Sequence, residues 1–226
     1  MRGESGQYPV TYTLIGVNVV CYVLSALLSG NMADMDMQVL VDMGALYGPL
    51  TVLKSEWWRL FTAMFLHGGM THILMNMVSL YLIGRGAELY FSKMAYMSIY
   101  LFSGLLGGLA SLYMHPTSVG IGASGAIFGL FGALAGFFLA HREKIGAHTK
   151  AFMKEFTIII AINIGIGLAI PSVDVSAHIG GLAVGFLGGF FLSKNPKFIV
   201  PYVAVMAVCM AGMMAYLPGL YVQIPF

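Results

Sequence analysis

Five polar side chains interrupt otherwise apolar sequence, and their types suit acyl-transfer chemistry. They are Ser124 in GASG, His178 in SAHIGG, and His67, His72 and Asn76 in HGGMTHILMN. A serine hydroxyl becomes a nucleophile when a neighbouring base takes its proton, and histidine is the usual base because it titrates near working pH. Ser124 lies where a glycine-rich loop turns into an apolar helix. A helix N-terminus offers unpaired N–H groups and the positive end of the helix dipole, so an oxyanion formed on Ser124 would sit in a favourable field. Gly122 and Gly125 leave room for a substrate backbone to approach. His72 and Asn76 stand at i and i+4 and therefore share one helix face. Side-chain donors there could complete an oxyanion hole, and one such donor contributes about 2.7–4 kcal/mol in other serine hydrolases.

Each group alone has a plainer reading. Serine and glycine are common where membrane helices approach closely, and Gly132 and Gly136 continue such a small-residue pattern in the same segment. GASG is not a G-x-S-x-G elbow, because Ala126 follows Gly125. A histidine at a membrane edge can simply bond a carbonyl. Asp174, four residues before His178, suits a helix cap better than a ring-orienting acid. The histidines lack a carboxylate or thiolate at ligand spacing, so no metal is expected, and no other cofactor. Jointly the groups supply a nucleophile, a base and oxyanion donors.

These residues must be positioned by membrane helices. Of 226 residues, 59% are hydrophobic and only 9% charged, and the mean hydropathy is +0.86; soluble domains carry about 25% charged residues. A bilayer span needs about 20 apolar residues as a helix. Spans are expected near 10–29, 68–87, 94–113, 123–140, 154–171, 177–193 and 199–217. They form a single membrane domain over 1–226, with no linker or repeat. No basic cluster with interleaved aromatics points to nucleic acid. Cys21 and Cys209 lie far apart in apolar runs and read as buried thiols. With the N-terminus cytoplasmic and the C-terminus external, the inner segments hold 9 of the 11 Lys and Arg residues, the outer ones only Lys54 and Arg59. Ser124, His178 and the start of the second span then share one depth near the external face, where water is available, while the inner halves look nearly free of polar groups. Ala177, Gly181, Gly185 and Gly189 form a stripe that would let the sixth span pack on the glycine face of the fourth and bring the imidazole to Ser124. About 35 residues, 30–65, join the first two spans and carry EWWRLF, which reads as partly inserted in the outer leaflet or as an external cap.

At this point the sequence resembles the rhomboid family of intramembrane serine proteases. The resemblance rests on Trp58-Arg59, on the H-x4-H-x3-N of His67, His72 and Asn76, on GRGAE ending at Glu88, on GASG around Ser124, and on AHIGGLAVG from Ala177. It implies an all-α polytopic transmembrane bundle, with a rhomboid-like six-helix core over about 8–195 and one extra C-terminal helix. It implies a Ser124–His178 dyad without a third acid, oxyanion donors in His72, Asn76 and the Ser124 N–H, and a site shaped by Gly122 and Gly125. His67, Arg59 and Glu88 match structural positions. Phe128 stands where some members carry a tyrosine against the histidine ring, so stacking is kept and a hydroxyl lost. The implied partners are transmembrane protein substrates within the lipid bilayer, with lateral access gated by the fifth span or the long loop. The short tails and compact form lead us to expect a multi-pass protein of the bacterial inner membrane; oligomeric state is left open. The alternatives are a non-catalytic relative that binds transmembrane clients, and a transporter or proton relay, which would want polar groups at mid-membrane on both sides.

Overall fold

The computed structural model describes residues 7–144 and 173–224, with scattered positions between 146 and 169. Helix α1 spans Pro9–Ser29, with proline in its first turn and Gly30 ending it in the left-handed conformation at φ +66°. After α2 (Met37–Asp42), capped by the Asp36 carboxylate, come strand β1 (Leu46–Tyr47) and a π-helical turn, Pro49–Leu53. Helix α3 (Arg59–Thr62) and a 3₁₀ turn, Ala63–Phe65, follow. Residues 70–90 run as α4 (Met70–Ser79), a π-helical turn at Leu80–Gly84, and α5 (Arg85–Tyr90). Helix α6 is Lys93–Met114, with Ser92 as its cap; strand β2 is Val119–Gly120. Helix α7 is Ser124–Ala140, α8 is Val175–Lys194 and α9 is Ile199–Tyr221.

The chain is an all-α polytopic membrane bundle. Pro9–Ser29, Lys93–Met114, Val175–Lys194 and Pro196–Tyr221 are long and apolar enough to cross a bilayer, and Ser124–Ala140 is a shorter apolar helix. Their outward residues are apolar, Leu27, Leu28, Met94, Val200 and Val208 among them; hydrocarbon solvates such a surface as water would not. The expected span near 154–171 lies largely outside the described residues, as do Arg2 and Lys150 of the charge count. Cys21 is half-buried, but Cys209 is exposed on α9 rather than buried, because the face of α9 that carries it has no neighbour among the described residues.

The connection over 30–65 is built rather than loose. Arg59, only 6% exposed, donates to Glu56 Oε2 at 2.6 Å and to the carbonyls of Val41 and Ala45 at 2.5 and 3.1 Å. One guanidinium thus ties three separate turns of that segment together. Strand β1 pairs antiparallel with β2, Leu46 opposite Gly120, which fastens the segment to the loop entering α7. At the opposite end of the bundle, Glu88 accepts from the N–H groups of Val10 and Thr11 at 2.8 and 2.9 Å and from Thr11 Oγ1 at 2.7 Å. It supplies the acceptors that the first turn of α1 lacks.

Helix α6 forms the centre, with Tyr96, Ile99, Tyr100 and Leu109 wholly buried. Helices α7 and α8 meet backbone to backbone. A Cβ added at Gly181, Gly185 or Gly189 would stand 2.0, 1.8 or 2.0 Å from the carbonyl oxygens of Gly125, Gly129 and Ala133. From the other side, a Cβ at Gly132 or Gly136 would stand 2.1 or 2.2 Å from the carbonyls of Leu182 and Phe186. Only glycine permits this spacing, and the contact depends on close packing because lipid provides little hydrophobic drive between helices.

Candidate active site

Ser124 is the first residue of α7, and His178 lies one turn into α8. The glycine seam between those helices sets the two side chains face to face, with His178 Nε2 2.8 Å from Ser124 Oγ. The imidazole lies flat on the Phe128 ring, centroids 4.3 Å apart and planes inclined by 8°. Both His178 and Phe128 are buried. His178 Nδ1 is buried with no hydrogen-bond partner among the described residues, so no described carboxylate is hydrogen-bonded to the ring. The nearest candidate in sequence, Asp174, is occupied elsewhere. Its Oδ1 accepts from the N–H groups of Ser176 and Ala177, both at 3.1 Å, and from the Ser176 hydroxyl. Burial alone would raise the Asp174 pKa, but bonds from Ser111, Ser176 and the Ala177 N–H, with His115 nearby, hold its carboxyl below the usual carboxylate range.

His72 and Asn76 both lie on α4. His72 Nδ1 accepts from the Gly68 N–H at 3.4 Å. A neutral ring that accepts at Nδ1 carries its proton on Nε2, and Nε2 is the edge turned to the serine loop. A Cβ built on Gly122 would stand 2.8 Å from it. Gly122 itself has φ +117°, a conformation side-chain-bearing residues rarely adopt, and its N–H is fixed on the Ala63 carbonyl at 2.9 Å. Asn76 is 6% exposed, and its Nδ2 donates to the His72 carbonyl at 3.0 Å, leaving the second amide hydrogen for another acceptor. Gly125 follows Ser124 and packs against the Ala177 carbonyl.

The remaining predicted residues stand apart from the serine. His67 is wholly buried behind His72, ring centroids 4.9 Å apart and edge-on. Burial first, and then His72, push its pKa down to about 3, so it is neutral. Arg59 and Glu88 tie down the 30–65 segment and the start of α1, as described above. One expectation fails: the bundle end away from Ser124 is not free of polar groups. Thr11 is wholly buried there and joins Glu88 and Tyr96, and Asn18 and Ser103 are wholly buried at the middle of α1 and α6. Counting charges overlooked them, because uncharged polar residues barely alter a hydropathy window; a threonine two residues after the helix-opening proline was the available signal. Among the described residues, no three His, Cys, Asp or Glu side chains gather as a metal site.

A serine hydroxyl in contact with an imidazole, a glycine with positive φ beside it and a histidine edge turned to that glycine thus fall within one stretch of chain. A rhomboid-domain profile matches residues 54–195, which contain all of them. The chain belongs to the rhomboid family. Among its relatives, RHOMBOID-like protein 1 of Arabidopsis thaliana is 41% identical over 159 residues, 70% of this chain and 40% of that protein. Rhomboid protease GluP of Bacillus subtilis (strain 168) is 35% identical over 188 residues, 83% of this chain and 35% of its own length. RHOMBOID-like protein 6, mitochondrial, of Arabidopsis thaliana is 41% identical over 158 residues, 70% of this chain and 51% of its own. The alignments therefore span about half or less of each of these relatives. Rhomboid membership accounts for the membrane bundle, and the family includes proteins named as proteases.

Proposed function

We propose that this rhomboid chain is an intramembrane serine protease that hydrolyses peptide bonds in or near transmembrane helices of membrane-protein substrates. The single observation that carries the reading is the 2.8 Å contact between His178 Nε2 and Ser124 Oγ, within direct proton-transfer reach. In this reading the imidazole bears its proton on Nδ1, so Nε2 accepts. Ser124 Oγ bonds to the scissile carbonyl carbon as its proton passes to Nε2. The carbonyl oxygen becomes an oxyanion, met by the Ser124 N–H, the His72 Nε2–H and an Asn76 Nδ2–H. The imidazolium then protonates the departing amine. Water, activated by the same Nε2, attacks the acyl-enzyme, and Ser124 recovers its proton. Phe128 keeps the ring plane fixed through these transfers, a task that a third acid performs in triads.

The substrate must expose a carbonyl to Ser124. A transmembrane helix with a locally unwinding stretch, rich in small or helix-breaking residues, meets that need, since intact helical bonds mask the carbonyl. The described helices are read as one membrane domain, a core over about 8–195 with one further helix. The N-terminus is read as cytoplasmic, the C-terminus and Ser124 as external, in a bacterial inner membrane; the 9-to-2 division of Lys and Arg supports that orientation.

The test is cleavage of a single-span test substrate by purified protein, wild type beside Ser124→Ala and His178→Ala, with labelling by a fluorophosphonate probe. Wild-type cleavage and labelling, both lost in the variants, is the expected result. Folded wild type that neither cleaves a panel of substrates nor labels at Ser124 overturns the reading in favour of a client-binding relative.

A further inference from the structure

The last helix ends on the scaffold of the serine loop. Tyr221, the final residue of α9, is 1% exposed, and Leu217 one turn earlier is wholly buried. The exposed residue beside it, Val222, is 80% accessible, so Tyr221 is selectively inserted. Its hydroxyl lies 2.8 Å from the Leu112 carbonyl oxygen and 3.3 Å from that of Pro116. Leu112 belongs to the last turn of α6, where carbonyls have no partner within the helix. Tyr221 therefore closes the end of α6 from outside the core.

Gly48 seals the other side of this joint. A Cβ there would stand 2.0 Å from the Pro116 carbonyl oxygen and 2.5 Å from the Tyr221 hydroxyl. Both strands of the small ribbon leave from this point. β1 (Leu46–Tyr47) directly precedes Gly48, and β2 (Val119–Gly120) begins three residues after Pro116. β2 passes through Ile121 to Gly122 and then Ser124. The Tyr221 joint, the β1–β2 pairing and the bond from Gly122 N–H to the Ala63 carbonyl are thus successive fixings of one short path.

We infer that Tyr221 is a positioning residue: through its hydroxyl the last helix latches the ribbon that sets Gly122 and Ser124. The last helix then acts on the serine loop itself and is more than an added membrane anchor. The consequence for rate rests on Ser124 being the nucleophile; the latch itself does not.

The test uses the full chain and Tyr221→Phe, which keeps the ring and its packing and removes only the hydroxyl, with Val222→Ala as the control. Hydrogen exchange at the amides of residues 119–124 is expected to accelerate by about three- to tenfold, the size of one net hydrogen bond, with exchange in α8 unchanged. Fluorophosphonate labelling of Ser124 is expected to slow over the same range. With a single-span substrate, kcat falls and KM holds. Gly48→Ala, which strains the joint from its opposite side, is expected to accelerate the same amides, with the double variant less than additive. Unchanged exchange at 119–124 in a folded Tyr221→Phe protein overturns the inference, as does acceleration spread equally over the chain, which marks a merely structural bond. If wild type neither labels nor cleaves, the protease reading fails, and the exchange measurement still decides the latch.

Discussion

Gly185→Ala tests whether the glycine seam sets the Ser124–His178 distance on which the proposed protease activity depends. Gly185 lies seven residues after His178, two turns along α8 and about 10 Å from it, so it cannot touch a substrate carbonyl at Ser124. An alanine Cβ there would stand 1.8 Å from the Gly129 carbonyl oxygen and 2.6 Å from Gly129 Cα, whereas real Cβ contacts essentially never fall under 3.0 Å. Backbone cannot rotate away as a side chain can, so α8 must retreat from α7 by at least 1.2 Å. If the helix moves as a rigid rod, the 2.8 Å contact between His178 and Ser124 opens to about 4 Å, beyond hydrogen-bonding range. A displacement of about 1 Å at reacting groups lowers rates by about 10²-fold. The assay is kcat/KM on a single-span substrate in detergent, with the folded fraction checked by size-exclusion chromatography and the probe rate at Ser124 measured alongside. Gly212→Ala is the control, since a Cβ at Gly212 on α9 meets nothing within 4 Å among the described residues. Folded Gly185→Ala protein that cleaves within about twofold of wild type would refute the reasoning, because the dyad distance would then not depend on backbone contact at the seam.

Three further outcomes are expected. Gly122→Ala forces φ +117° on a residue with a side chain and drives a Cβ to 2.8 Å from His72 Nε2; kcat should fall by about 10²- to 10³-fold, roughly the loss of one oxyanion donor, with KM little changed. Glu88→Ala removes three hydrogen bonds from the start of α1 and should lower stability by about 2–3 kcal/mol, read by denaturation in detergent, while activity per folded molecule holds. Asp174→Asn weakens the cap of α8. The Asp174 pKa is depressed in the folded protein relative to the ordinary value of 3.8, so its contribution is full well above that value and disappears as pH falls through the lower folded pKa. Wild type should exceed Asp174→Asn in stability at neutral pH, and the gap should close below about pH 4. A gap that stays constant down to pH 2.5 would show that the carboxylate charge is irrelevant to the cap.

Much of this protein is legible along the chain because its determinants are local. Apolar runs bounded by Pro9, Gly30, Ser92 and Asp174 give helix positions directly, since start and stop chemistry resides in neighbouring residues. The i, i+4 spacing puts His72 and Asn76 on one face whatever surrounds them, and the stripe from Ala177 to Gly189 marks a face built for close approach. The 30–65 segment is less legible. Its short helices, β1 and π-helical turn depend on Arg59 reaching carbonyls 14 and 18 residues away and on a ribbon partner at Val119–Gly120. Thr11 and Asn18 were hidden for a related reason: a single polar residue in a long apolar helix acquires meaning only from what lies opposite it.

The sequence by itself determined a membrane bundle, the approximate spans, and the residue types able to do serine chemistry. The tertiary structure alone decided that Ser124 and His178, 54 residues apart, stand 2.8 Å from one another, that Arg59 reaches the carbonyls of Val41 and Ala45, and that Tyr221 reaches back to Leu112 and Pro116. The physical reason is one of range. Hydropathy, capping and helical period act between residues a few positions apart, whereas these three outcomes depend on which backbones can approach within van der Waals contact, and only the assembled helices settle that.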